Sequence, residues 1–145
     1  MSLFSALSVS ASGMAAQRTR AELLVENMAN AETTRTPDGG PYRRKDALFQ
    51  TSDVGSSFAD MFNVETDAQS SGVKVAEITV DQSEPDKRYL PGHPDADKDG
   101  YVAFPKINPA EDMVDLMGAT RNYEGNVAAI SAVKDMIQRS IDLLR

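Results

Sequence analysis

Apolar residues recur at three- and four-residue steps at both ends of the chain and at two-residue steps in its middle. Towards the C-terminus the steps pick out Met113, Leu116, Thr120, Tyr123, Val127, Ile130, Lys134, Ile137, Ile141 and Leu144. That heptad-like seam predicts one long helix. Its start is marked by Asn108 as N-cap, Pro109 at the first helical position and Glu111 at the third, where a glutamate completes a capping box. A helix over 108–145 extends about 55 Å at roughly 1.5 Å per residue, more than a small domain needs, so the seam predicts partner helices. At the other end the same steps give Leu3, Leu7, Ser10, Met14, Gln17, Ala21, Leu24, Met28 and Ala31. This second seam is diluted by Ser5, Ala6, Ser8, Ala11, Ser12, Gly13, Ala15 and Ala16, which permit close helix approach yet bury little area. Burying a Leu or Met gives roughly 1.5–3 kcal/mol, while ordering each residue costs about 1–2 kcal/mol of backbone entropy. The first half of this helix cannot hold itself together by that count, and the termini are expected to be poorly ordered in the free chain and to become helical against neighbours. The alternative is a two-helix hairpin within one chain.

Between the helices the pattern changes. Asn27 and Asn30 lie three apart on one helix side and, with Thr33 and Thr34, read as a helix stop. Residues 36–41 are turn chemistry. Tyr42 to Phe49 is a predicted strand of poor alternation, and residues 50–71 read as a loop around Phe58, Met61 and Phe62, a helical turn or an anchor. Val73 and Val75 then alternate cleanly, but Ala76, Ile78 and Val80 continue on the opposite parity. A period-two face cannot switch sides without an extra residue, which predicts a β-bulge at Ala76-Glu77. Ser83 to Asp86 is a turn, with short strands at Lys87 to Leu90 and Tyr101 to Phe104. The expected fold is mainly α: long N- and C-terminal helices (1–35 and 108–145) pair as a coiled coil or helical bundle, with a short, mostly antiparallel β insertion (36–107) between them.

Composition narrows the chemistry. The chain has no cysteine, which excludes disulfides and cysteine-ligated metals, and one histidine. Of its net charge of −7, the first 45 residues hold six basic and four acidic groups, residues 46–112 five and fourteen, and the rest four of each. An acidic middle argues against nucleic acid, and Arg43, Arg44 and Lys45 read as a solvated edge or a contact to an acidic neighbour. Met1 to Ala16 has no basic residue and is interrupted by serine, so no cleaved Sec signal is expected. No stretch approaches the roughly 20 apolar residues of a membrane span.

One loop carries a metal-like motif. Asp95, Asp97, Asp99 and Gly100 match positions 1, 3, 5 and 6 of an EF-hand loop, but Lys106 stands where the bidentate glutamate belongs, and prolines and strands replace the flanking helices. These aspartates are weak metal candidates and otherwise a solvated hairpin tip. Catalysis has only His93, beside Pro94, and no nucleophile elbow, phosphate loop or His-Glu-x-x-His. No enzyme, cofactor or small-molecule substrate is expected.

Ser12-Ala-Ser-Gly-Met-Ala-Ala-Gln17 followed by Glu26-Asn-Met-Ala-Asn-Ala-Glu-Thr33 resembles the N-terminal signature of the bacterial flagellar axial-protein family, the rod, hook and hook-associated proteins. Pro41 to Lys45, Pro91 to Val102, Asn108 to Met117 and Tyr123 to Val127 narrow the resemblance to its short proximal-rod members, over nearly the whole chain. Two departures stand out. Thr34-Arg35-Thr36-Pro37 replaces a direct run into a Gly-Tyr pair, and Gly125 replaces a common alanine at a cost of roughly 1 kcal/mol of helix propensity.

The resemblance implies a structural subunit whose terminal helices pack with those of neighbours into a layered bundle around a channel. It implies as partners copies of itself, other rod proteins and the flagellar type III export apparatus. It also implies export without signal cleavage and residence in the periplasm-spanning basal body. The expected assembly residues are Leu3, Leu7, Met14, Gln17, Leu24, Asn27, Met28, Asn30 and Thr33 at the N-terminal end. At the C-terminal end they are Met113, Leu116, Tyr123, Val127, Ile130, Ile137, Ile141 and Leu144. A soluble coiled-coil adaptor and a calcium-binding module are the other classes.

Overall fold

The computed structural model describes residues 3–53 and 71–143. Its elements are α1 (Leu3–Ala29), β1 (Lys45–Asp53), β2 (Ser71–Val80), β3 (Asp86–Tyr89), β4 (Tyr101–Phe104) and α2 (Pro109–Asp142). The expected Phe58, Met61 and Phe62 group and Leu144 lie outside the described residues.

The two long helices pack against each other and run antiparallel, with Gly13 facing Asn126 near mid-helix and Arg20 reaching Asp115 towards the start of α2. Helix α2 starts where its cap chemistry places it: the Asn108 side chain accepts a hydrogen bond from Ala110 N at 3.2 Å, the second helical N–H rather than that of Glu111. Its buried positions are Asp112, Ala119 and Val133, with Asn126 half-buried between them. They lie seven residues apart, so they form one stripe. The facing α1 residues include Gly13, and a Cβ built there lies 3.0–3.3 Å from the Asn126 amide. The helices thus cross closely through small and polar groups.

The other flank of α1 carries the β1–β2 hairpin. Ser12 Oγ donates to Val9 O at 2.7 Å and accepts from Val73 N at 3.0 Å, tying the start of β2 to the helix. The strands pair antiparallel from Lys45 with Val80 to Asp53 with Ser71. Leu48 pairs with Glu77 and Phe49 with Val75, which leaves Ala76 without a partner at the predicted bulge. The hairpin is longer than expected. Residues 50–53 and 71, read as loop, are paired strand, because a ladder is made of backbone groups and tolerates Gln50, Thr51 and Ser52. At its other end β1 begins at Lys45 rather than Tyr42, with Tyr42 and Arg44 in contact with the end of α1 and the start of α2.

Strands β3 and β4 form a separate antiparallel pair, with Asp86 opposite Phe104 and Tyr89 opposite Tyr101. Val102, Phe104 and Pro105 are buried, and Arg88 stacks its guanidinium 4.7 Å from the centre of the Phe104 ring. Gly100 closes the connecting loop at a φ of +83°, where a side chain would also strike the Tyr89 ring.

Candidate assembly interface

The end of α1 is a joint built on Asn27, which is 0% exposed. Its Nδ2 donates to Lys45 O at 2.9 Å, and its Oδ1 accepts from Lys45 N and from the Tyr42 hydroxyl, each at 3.0 Å. One amide thereby satisfies both backbone groups of the first β1 residue. Lys45 Nζ pairs with Glu26, one position back on the helix. Asn30 closes the helix: its Nδ2 donates to Glu26 O at 2.9 Å, and its Oδ1 accepts from Thr33 Oγ1 at 3.2 Å. Tyr42 N then donates to Thr33 O at 3.0 Å. Burial, with Glu26 and Asp112 nearby, pushes the Tyr42 phenol up to about 12. The helix stop read from the sequence is present, and Asn27 in addition clamps a strand.

A second cluster joins this point to the start of α2. Arg44 lies 2.7 Å from Asp112 Oδ1 and 3.1 Å from Asp46 Oδ2. Asp112 is 0% exposed, and apart from Arg44 no donor meets its carboxylate oxygens. Burial pushes the Asp112 carboxyl above the usual aspartate range; Arg44 opposes this, while Asp46 and Asp115 add to it.

The expected interface residues divide by position. Leu24 and Asn27 are buried within the chain, and Leu7, Met14, Gln17, Met28, Asn30 and Thr33 are half-buried. Gln17 Oε1 is buried without a hydrogen-bond partner. Leu3 is exposed. On α2, Leu116, Ile130 and Ile137 are half-buried beside the Asp112–Ala119–Val133 stripe, whereas Met113 (62%), Tyr123, Val127 (42%) and Ile141 are exposed. The apolar seam read from the sequence is rotated about 60° around α2 from the stripe that meets α1, at roughly 100° per residue. One edge of that seam is used inside the chain, and the other points outward. Met14 and Tyr123, with Arg18 and Glu22, line an open trough between the helices. Helix α1 also has an outer stripe, exposed at Phe4, Ser8, Ala11, Ala15, Arg18, Glu22, Val25 and Ala29.

Sequence reasoning missed Tyr42, Arg44, Asp112 and Asn126 as organisers of the packing. The seven-residue spacing from Asp112 through Ala119 and Asn126 to Val133 was the available signal, but Asp112 and Asn126 do not register in an apolar search.

A family model for the C-terminal region of flagellar basal-body rod FlgEFG proteins matches residues 98–143, which contain β4 and α2. Over 151 aligned residues the chain is 38% identical to the flagellar basal-body rod protein FlgC of Borreliella burgdorferi, covering 100% of this chain and 99% of the relative. It is 39% identical to that of Bacillus subtilis, with 99% of both covered, and 36% identical to that of Escherichia coli, with 99% and 98% covered. The chain belongs to the FlgC family. As a FlgC-family protein it is a structural subunit of the flagellar basal-body rod, not an enzyme. Among the described residues no helix is long and apolar enough to cross a membrane.

In this FlgC-family chain the aspartate loop is occupied by its own backbone. Asp97 Oδ1 accepts from Asp99 N at 2.9 Å and Tyr101 N at 2.8 Å. Asp95 accepts from Thr34 Oγ1 at 2.8 Å and pairs with Arg35 at 3.7 Å. Thus Thr34 and Arg35, the first residues of the departure from the family pattern, tether the loop to the end of α1. Asp95, Asp97 and Asp99 do not converge, and among the described residues no three acidic or imidazole groups come together to hold a metal ion. His93 Nδ1 accepts from Asp95 N at 3.1 Å, a turn contact.

Proposed function

We propose that this chain builds the wall of the proximal rod by packing the outward faces of α1 and α2 against copies of itself and against other rod proteins, around the export channel. It is thereby required for flagellum assembly and motility. The observation that carries this reading is the stripe of Met113, Val127 and Ile141 exposed beside an internal seam that is already filled. Fully burying each such side chain gives roughly 1.5–3 kcal/mol, and contacts that repeat without closing generate a helical tube. The chain reaches the basal body through the flagellar type III export apparatus with its N-terminus uncleaved.

Val127→Asp and Met113→Asp isolate the outer face. Both variants are expected to keep wild-type helix content, to be absent from purified basal bodies and to leave cells non-motile. Wild-type incorporation of either would remove the stripe from the interface. Ile130 and Ile137 are poorer probes because they flank the internal seam, and an aspartate there disturbs the hairpin itself. Mass spectrometry of the chain from basal bodies is expected to show its first residues intact; a shortened N-terminus would overturn uncleaved export.

A further inference from the structure

The least conventional feature of the molecule is a fully buried carboxylate at a three-way junction. Asp112 sits in the first turn of α2, beside the segment of Tyr42 and Arg44 that ties the Asn27 end of α1 to the start of β1. From the segment before β1 it is faced by Arg44 and, further off, by Tyr42; from β1 by Asp46; from α2 itself by Asp115. Arg20 on α1 lies against Asp115, and Lys45 on β1 against Glu26 of α1. Arg44 is therefore shared between the buried Asp112 and the exposed Asp46, with Asp115 adding a third negative charge further off. Apart from Arg44, no donor meets either Asp112 oxygen. An ion pair of this sort does not repay the removal of both charges from water unless the remaining lone pairs are also satisfied.

We propose that the junction of α1, β1 and α2 is a proton-sensitive clasp, held tightest when Asp112 is protonated and loosened when it ionises. A protonated Asp112 takes no charge into the interior. Arg44 meanwhile keeps Asp46 as a partner. The folded chain then binds the Asp112 proton more tightly than the unfolded chain does. The stability Asp112 contributes is full below the ordinary aspartate value of 3.8 and is lost as pH rises through its higher folded-state value. This is the reverse of an ordinary paired carboxylate, which supports a fold only when ionised.

The test is urea unfolding of the full chain, followed by helix circular dichroism between about pH 4 and pH 8, alongside the carbon-13 carboxyl shift of Asp112. Because every other carboxylate titrates in both chains, the difference between wild type and Asp112→Asn isolates this group. The Asn variant is expected to match wild type in acid and to have the higher midpoint at neutral pH, so that the two curves diverge as pH rises. Arg44→Gln removes the opposing cation and is expected to steepen the wild-type fall. The Asp112 carboxyl signal is expected to titrate above the ordinary aspartate range. Parallel curves, an Asn variant less stable than wild type throughout, or an Asp112 signal titrating at or below the ordinary value would each overturn the clasp.

Discussion

Asn27 shows how much one amide can fix. It serves a backbone donor, a backbone acceptor and a phenol, all from within the protein. Asn27→Ala therefore strands Lys45 N–H and C=O as well as the Tyr42 hydroxyl. With each unsatisfied buried group costing about 1–3 kcal/mol, a loss of roughly 3 kcal/mol or more is expected in urea unfolding. Tyr42→Phe removes only the hydroxyl contact and is expected to cost about 1 kcal/mol. The phenol also gives a pH signature. Its folded value of about 12 stands above the ordinary 10.0, so its contribution is full below pH 10.0 and disappears as pH rises towards 12. Ultraviolet titration of the phenols is expected to show one that ionises near 12 and is lost in Tyr42→Phe. At this scale the sequence was half legible. A pair of asparagines three apart announces a helix end, whereas the reach of Asn27 to residues 15 and 18 positions away depends on where the strand comes to lie.

At the scale of elements, the parity switch after Val75 located the bulge at Ala76, and Asn108-Pro109 located the start of α2, because both signals are local. The helix pairing was harder to read. An apolar template finds Met113, Tyr123 and Val127, but the stripe that meets α1 runs through Asp112, Ala119 and Asn126, chosen for size and polarity rather than for area. The close approach at Gly13 gives a direct check. Gly13→Val drives a branched side chain into the Asn126 amide and is expected to destabilise the hairpin by about 1–3 kcal/mol. Asn126→Ala in the same chain is expected to recover part of that loss. Additive effects of the two changes, measured by unfolding, would show that the residues do not meet.

For the whole molecule, the decisive asymmetry is that α1 is covered on two flanks, by α2 and by the β1–β2 hairpin, while α2 packs along α1 and is otherwise tied at its start by the Arg44–Asp112 pair. The second helix thus keeps most of its circumference for others. Its apolar stripe could be read from periodicity, but not which edge the chain would use for itself. A net charge of −7, concentrated in the middle of the chain, predicts that the free chain stays dispersed at low salt. Light scattering is expected to detect more self-association as salt screens that repulsion.

The packing of α1 on α2 also has a consequence in time. Gly13 meets Asn126, so this part of the first helix acquires its helical partner only after more than a hundred further residues become available. Closing so long a loop costs entropy before any contact rewards it. A chain emerging or threaded from its N-terminus carries an unfinished fold until those residues follow, and the helix pair forms only once both helices are on the same side of whatever the chain has crossed.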